Sequence, residues 1–287
     1  MKYNYFPGCS LHSTAVDYQM SVEQSCKTLG LELIDIDDWN CCGATATVSE
    51  DRNKAVLLAA ITLAKSKEGM DVVAACNACY LRLHQVGSKF DKYPNLKKWV
   101  VSLLREAGLR TDIEKIKVKH LLQVILEDVG FANVQSKVVK PLKGLKVVPY
   151  YGCQIAKPES FDDPEQPTAL DGLLKSLGAD VLPFTRKTRC CGNSLVITNE
   201  TVAFRMIYEL LDEAAVLGAQ AVAVACPVCQ LNLDAYQAKV NRAYKKEYNI
   251  PVVYFTQLMG LAFGLEPKVL GLGKGMVSSD KLVKSIV

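Results

Sequence analysis

Short runs that are apolar at nearly every position alternate along this chain with longer stretches whose apolar residues recur every three or four places, and the whole alternation is written twice. YNYFPGC (3–9) and LKVVPYYGC (145–153) read as strands that end in a Gly-Cys turn. Helix-compatible sequence follows each, then LELIDID (31–37) and ADVLPFT (179–185), again strand-like. EDRNKAVLLAAITLAKSKEG (50–69) and NETVAFRMIYELLDEAAVLG (199–218) have helical apolar spacing, acidic starts and a closing glycine. After Asp71, DVVAAC (71–76) is apolar throughout, as is AVAVAC (221–226), in the manner of strands buried on both faces. NLKKWVVSLLREAGL (95–109) and IEKIKVKHLLQVILEDVG (113–130) read as two helices joining the halves. VVYFTQLMGLAFGL (252–265) reads as a closing strand and helix, and GMVSSDKLVKSIV (275–287) as a loose tail.

Strand, helix, strand, helix predicts an α/β fold of two pseudo-symmetric, Rossmann-like halves, each a parallel sheet with right-handed helical crossovers. The expected units are 1–144, with the helical connector, and 145–287, with the tail. Open sheets of this kind gather ligands at the carboxyl ends of their strands, and the cysteines fall there. Cys9, Cys41, Cys42, Cys76 and Cys79 recur as Cys153, Cys190, Cys191, Cys226 and Cys229, at offsets of 144, 149, 149, 150 and 150. Cys26, in the helical SVEQSCKTLG, stands outside the pattern and reads as a small apolar core residue.

The 287 residues are 49% hydrophobic, enough for one large or two medium domains without covalent staples. Eleven cysteines are too few for a disulfide scaffold of this length. MKYNYFPGCS has no apolar signal-peptide region, so a reducing cytoplasm is expected, where grouped cysteines serve metals or redox chemistry. The most apolar runs, 219–233 and 252–265, are short of the roughly 18 apolar residues that cross a bilayer. A net charge of +4 is too small to argue for nucleic acid. It is uneven: residues 89–146 hold 13 Lys or Arg and 6 Asp or Glu, a solvated helical face or a surface for an acidic partner.

WNCCG (39–43) and TRCCG (188–192) set two cysteines side by side before a glycine. Neighbouring side chains of a strand diverge, so both thiols serve one centre only if the backbone bends, and glycine permits the bend. A mononuclear zinc site takes four ligands; five thiols per half suit a polynuclear iron–sulfur centre better. Zinc in one half is the alternative. Each C-x-x-C at a helix start adds two ligands and aims free N–H groups at the sulfurs, with the proline of CPVC in the first turn, where its missing N–H costs nothing.

FPGCS, WNCCGA and CNACYLRL in the first half, and YYGCQ, TRCCGNS and CPVCQLNLD in the second, carry a resemblance over the whole chain to the cysteine-rich CCG-domain proteins and, within them, to the B-type subunit of heterodisulfide reductases. The resemblance implies a non-cubane [4Fe-4S] cluster in each five-cysteine set and a small disulfide substrate, such as that of coenzymes M and B in methanogens, reduced to two thiols between them. It also implies two partners in the same complex, a ferredoxin-like iron–sulfur subunit and a flavin-containing one, since this chain has neither a ferredoxin cysteine run nor a flavin fingerprint. Related CCG domains occur in quinone-, lactate-, glycolate- and fumarate-linked oxidoreductases, so an electron-transfer role without disulfide chemistry is the competing expectation.

Outside the cysteines the signals are weaker. His12, three residues after Cys9, is a candidate proton or hydrogen-bond donor to sulfur. Lys157, Arg186, Lys187 and Arg189 flank the second set as candidate binders of anionic substrate groups, and Gln154 follows Cys153. His84 and His120 read as surface or satisfied core residues. GLGKG (271–275) lacks the strand and spacing of a phosphate loop and reads as linker.

Overall fold

The computed structural model describes residues 1–286. Its strands form two four-stranded parallel sheets. The first contains β1 (Lys2–Phe6), β2 (Glu32–Asp35), β3 (Val72–Ala74) and β4 (Val118–His120) in the order β2-β1-β3-β4. The second repeats it with β5 (Lys146–Tyr150), β6 (Asp180–Val181), β7 (Ala221–Val224) and β8 (Val252–Tyr254), in the order β6-β5-β7-β8. Equivalent pairs hold equivalent registers, Asn4 opposite Val72 and Val148 opposite Val222. The central strands β3 and β7 are buried at every residue, which is why their sequences do not alternate.

In the first half the crossovers are α1 (Val16–Thr28), α2 (Arg52–Ala64) and α3 (Asn77–Lys92), followed by α4 (Pro94–Glu106) and α5 (Leu121–Val124), which runs on as a π turn to Val129. The second half has α6 (Ala169–Ser176), α7 (Glu200–Val216), α8 (Pro227–Ala235), α9 (Gln237–Tyr244), α10 (Phe255–Ala262) and α11 (Asp280–Ile286). Both long crossover helices are capped at their starts. Asp51 accepts from the N–H groups of Asn53 and Lys54, and Asn199 from that of Val202.

Two expectations are corrected. IEKIKVKHLLQVILEDVG is not one helix: Ile113–Lys115 is a 3₁₀ turn and Val118–His120 is β4, paired with β3. The run is too short for its period to separate strand from helix, and the open edge of β3 decides in favour of the strand. The tail is not loose. The Asp234 carboxylate accepts from Met276 and Val277 N–H at 2.6 and 3.1 Å, and Leu282 of α11 is buried. Before it, GLGKG is anchored at Gly271, where a Cβ would stand 2.5 Å from Asp17 Cα.

Both halves contribute to one apolar core. α1 of the first half packs on α10 of the second through a Tyr18–Tyr254 stack at 3.9 Å, a Ser21–Thr256 hydroxyl bond of 2.7 Å and a bond from Ser25 Oγ to Thr256 O. The stack adds about 1 kcal/mol beyond its burial, and each bond about as much. Among the described residues no helix is long and apolar enough to cross a membrane.

Candidate metal centres

Every paired cysteine follows the carboxyl end of a strand: Cys9 after β1, Cys41 and Cys42 after β2, Cys76 and Cys79 after β3, and their counterparts after β5, β6 and β7. The CCG glycines take the positive φ expected of a bend, +73° at Gly43 and +90° at Gly192. Cys76 and Cys226 are extended residues just before α3 and α8, and Pro227 opens α8. The N–H of Cys79 lies near the Cys76 sulfur, and those of Val228 and Cys229 near the Cys226 sulfur, without closing a capping hydrogen bond. Gly8 and Gly152 let the main chain lie against the thiols, for a Cβ would come within 2.9 Å of Cys79 Sγ at the first and 3.0 Å of Cys229 Sγ at the second.

Nine of the ten thiols lie in one row of neighbouring sulfurs, with a hydrogen bond between Cys42 and Cys79. In the first half it runs Cys41, Cys42, Cys79, Cys76, with Cys42 and Cys79 sulfurs 3.4 Å apart. It crosses between halves from Cys76 to Cys226, then continues through Cys229, Cys191, Cys190 and Cys153. Cys9 lies beside Cys41. The neighbouring Cys41 and Cys79 thiols hold Cys42 down to about 4. Those of Cys153 and Cys191 hold Cys190 down to about 3, and those of Cys229 and Cys76 hold Cys226 well below an ordinary thiol. Their neighbours are pushed up, chiefly by the adjoining sulfur.

This donor set is a row and not a cage: among the described residues no three His, Cys, Asp or Glu side chains converge on a point that would hold one metal ion. A row of soft thiolates, some already favoured in the charged form, fits a centre whose sulfurs fall on several metal atoms. A cavity of about 70 Å³ lies within the second set, lined by Cys153, Gln154, Cys190, Cys191, Cys226 and Cys229 with Asn77. Cys9 and Cys41 are exposed and Cys153 and Cys190 half-buried, so each row ends near solvent.

Of the other candidates, His12 is exposed, with its ring edge-on to Trp39, and makes no hydrogen bond to a thiol. Lys157 and Arg189 are exposed, Lys157 3.8 Å from Glu165. Arg186 and Lys187 are engaged within their own half. Arg186 is paired with Glu209 and Glu213 on α7. Lys187 is buried, with Nζ donating to Asp171 at 2.6 Å and to Pro167 O at 3.1 Å, and its carbonyl accepts from Tyr151 and Gly152 N–H. Neighbouring carboxylates pair with both cations, a contact between distant segments that charge along the chain does not reveal. Replacing Lys187 by Met leaves Asp171 without its ammonium and should lower stability by about 3 kcal/mol, while bound iron stays at the native level. Thermal unfolding and an iron assay check this; a weakened substrate interaction at native stability would restore the binding role.

Cys26 is core, its thiol pushed up to about 12 by burial. His84 is satisfied by Val118 O and Glu159. His120 is wholly buried, its Nδ1 accepts from Leu122 N–H, and desolvation lowers it to about 4. Three supporting residues escaped the sequence reading. Tyr18 Oη donates to Ala75 O at 3.0 Å and Ala225 O at 3.4 Å, joining the two residues that precede Cys76 and Cys226. Asn77 Nδ2 donates to Tyr151 O at 2.6 Å. Asn232 Nδ2 donates to Cys191 O and Asn193 O at 3.1 and 3.0 Å and lies 3.7 Å from Cys191 Sγ. Its place, three residues after the C-x-x-C on the same helical face, was the available signal.

A family model described as a cysteine-rich domain, CCG, matches residues 3–84 and 147–234. The chain is 33% identical, over 98% of its length and 99% of the relative's, to the 8-methylmenaquinol:fumarate reductase membrane anchor subunit of Wolinella succinogenes. It is 29% identical over its full length, and 98% of the relative's, to a protein of Archaeoglobus profundus named as like the B-type subunit of heterodisulfide reductase. With the B-type subunit of the ferredoxin:CoB-CoM heterodisulfide reductase of Methanosarcina mazei it shares 28% over 99% of this chain and 97% of that one. In fold it is similar to a hypothetical protein from Helicobacter pylori, with a TM-score of 0.73 at 15% identity; 96% of this chain spans about half of that one, 52%.

Proposed function

Since this chain belongs to the family of cysteine-rich CCG-domain proteins, we propose that it is the iron–sulfur subunit of an oxidoreductase complex and carries electrons between two thiolate-held centres, one in each half. The observation behind this reading is the buried contact of Cys76 with Cys226, which makes the two sets continuous across the pseudo-symmetric interface. Cys9, Cys41, Cys42, Cys76 and Cys79 would hold one iron–sulfur cluster and Cys153, Cys190, Cys191, Cys226 and Cys229 the other, non-cubane [4Fe-4S] in type. Bound there, the clusters would supply one-electron chemistry.

The chain's own part is to bind and to exclude water. Helix-start N–H groups and the Cys191–Asn232 contact stabilise charge on sulfur. Tyr18 ties together the strand ends that carry Cys76 and Cys226, and burial of those two thiols keeps solvent out of the crossing. A ferredoxin-like partner and a flavin-containing partner would deliver the electrons.

A second reading, reduction of a small disulfide to two thiols, is favoured by the thiol-lined cavity beside Gln154, with half-buried Cys153 and Cys190 at its wall. One experiment separates the two. The loaded protein is reduced, freed of reductant, and mixed with the coenzyme M and B disulfide, or with a menaquinone analogue or dye. A pure carrier reduces the analogue or dye and releases no thiol. Two thiols per protein would assign disulfide reduction, and failure with every acceptor would remove the redox reading itself.

A further inference from the structure

Beside the first cysteine set, α2, α3 and α4 enclose a cleft of about 680 Å³ whose lining includes Arg52, Arg82, Lys89, Ser49, Asn53 and Tyr93 and no carboxylate. The size is that of a small-molecule site. Among the described residues none of the three cations forms an ion pair. Asp51, the nearest acid in sequence to Arg52, is engaged as the cap of α2. Arg52 and Arg82 lie close enough to feel each other's like charge, and the only thiolate near Arg82 is that of Cys42.

Pseudo-symmetry sharpens the point. Arg82 follows Cys79 by three residues as Asn232 follows Cys229. Asn232 gives its hydrogen bonds to its own CCG loop, whereas Arg82 Nε is buried and has no partner. Gathering like charges around an unsatisfied buried donor costs stability unless an anion completes the set. Guanidinium forks suit oxyanions, which they bind through two parallel bonds. Hydroxyl and amide groups at Ser49 and Asn53 add neutral donors.

We propose that this cleft binds a small oxyanion carrying two or more negative charges, a phosphoryl or polycarboxylate group, next to the first thiol set. The site does not depend on which reaction the thiol centres serve.

The test is calorimetric titration of the cluster-loaded full chain with inorganic pyrophosphate and, separately, citrate. The expected result is saturable one-to-one binding of at least one of them with a Kd below about 1 mM. Arg52→Gln and Lys89→Gln, both on helix surfaces, should each weaken it about tenfold without changing the melting temperature or bound iron. Lys140→Gln and Lys143→Gln, exposed cations elsewhere, should not weaken it. Tighter pyrophosphate assigns a phosphoryl ligand and tighter citrate a polycarboxylate, and either upholds the site. The proposal fails if neither anion saturates, if the Lys140 and Lys143 variants lose as much as the cleft variants, or if an acidic peptide binds here while both small anions do not.

Discussion

Replacing Cys42 or Cys191 by Ala should halve bound iron and acid-labile sulfide and cut electron passage through the protein by at least about 100-fold. Both are buried inner members of their sets. Cys42 lies between Cys41 and Cys79, and Cys191 between Cys190 and Cys229. Either loss breaks its row between the solvent-facing end and the Cys76–Cys226 crossing, while the other half keeps all five thiols. Metal analysis and spectroscopy of the surviving half come first. The pre-reduced variants, mixed with a disulfide in a single turnover, then divide the two functional readings. If a disulfide must be opened between both centres, neither variant releases thiols. If the second set acts alone, Cys42→Ala still gives a full pair from a pre-reduced protein. Native iron content in either variant would show that these thiols are not ligands.

Stripping the metal with a chelator under reducing conditions should lower the melting temperature by about 10 °C or more and open the cysteine loops to protease. Without cations, sulfur positions that favour the thiolate at Cys42, Cys190 and Cys226 must be buried either charged or reprotonated, and both are unfavourable. The loops 36–45 and 182–194 contain little regular structure beyond turns, so their order rests on these contacts. A loss of about 5 kcal/mol corresponds to about 10 °C in a chain of this size. Calorimetry with and without chelator measures it, and coincident curves would mean that the scaffold holds the thiols by itself.

The pattern of apolar positions was sufficient for two parallel-sheet halves and for the placement of ten cysteines beyond strand ends, because those features depend on local period and on chain order. The bend at Gly43 and Gly192, the caps at Asp51 and Asn199 and the helix-start cysteines are local in the same sense. β4 was not legible: three residues fit either period, and only the open edge of β3 selects a strand. The tail read as loose because its anchor, Asp234, lies 42 residues before the first amide it holds. Lys187 read as a free cation because Asp171 comes beside it only when α6 docks. The crossing of Cys76 to Cys226, the Tyr18 clamp over it and the unpartnered Arg82 likewise arise where residues of separate segments meet. Chain order and local period thus specify which thiols form a set and which strands present them. Only tertiary packing decided that the two sets touch and which charges remain unpaired, since these depend on contacts between segments far apart in the chain, and local periodicity carries no record of them.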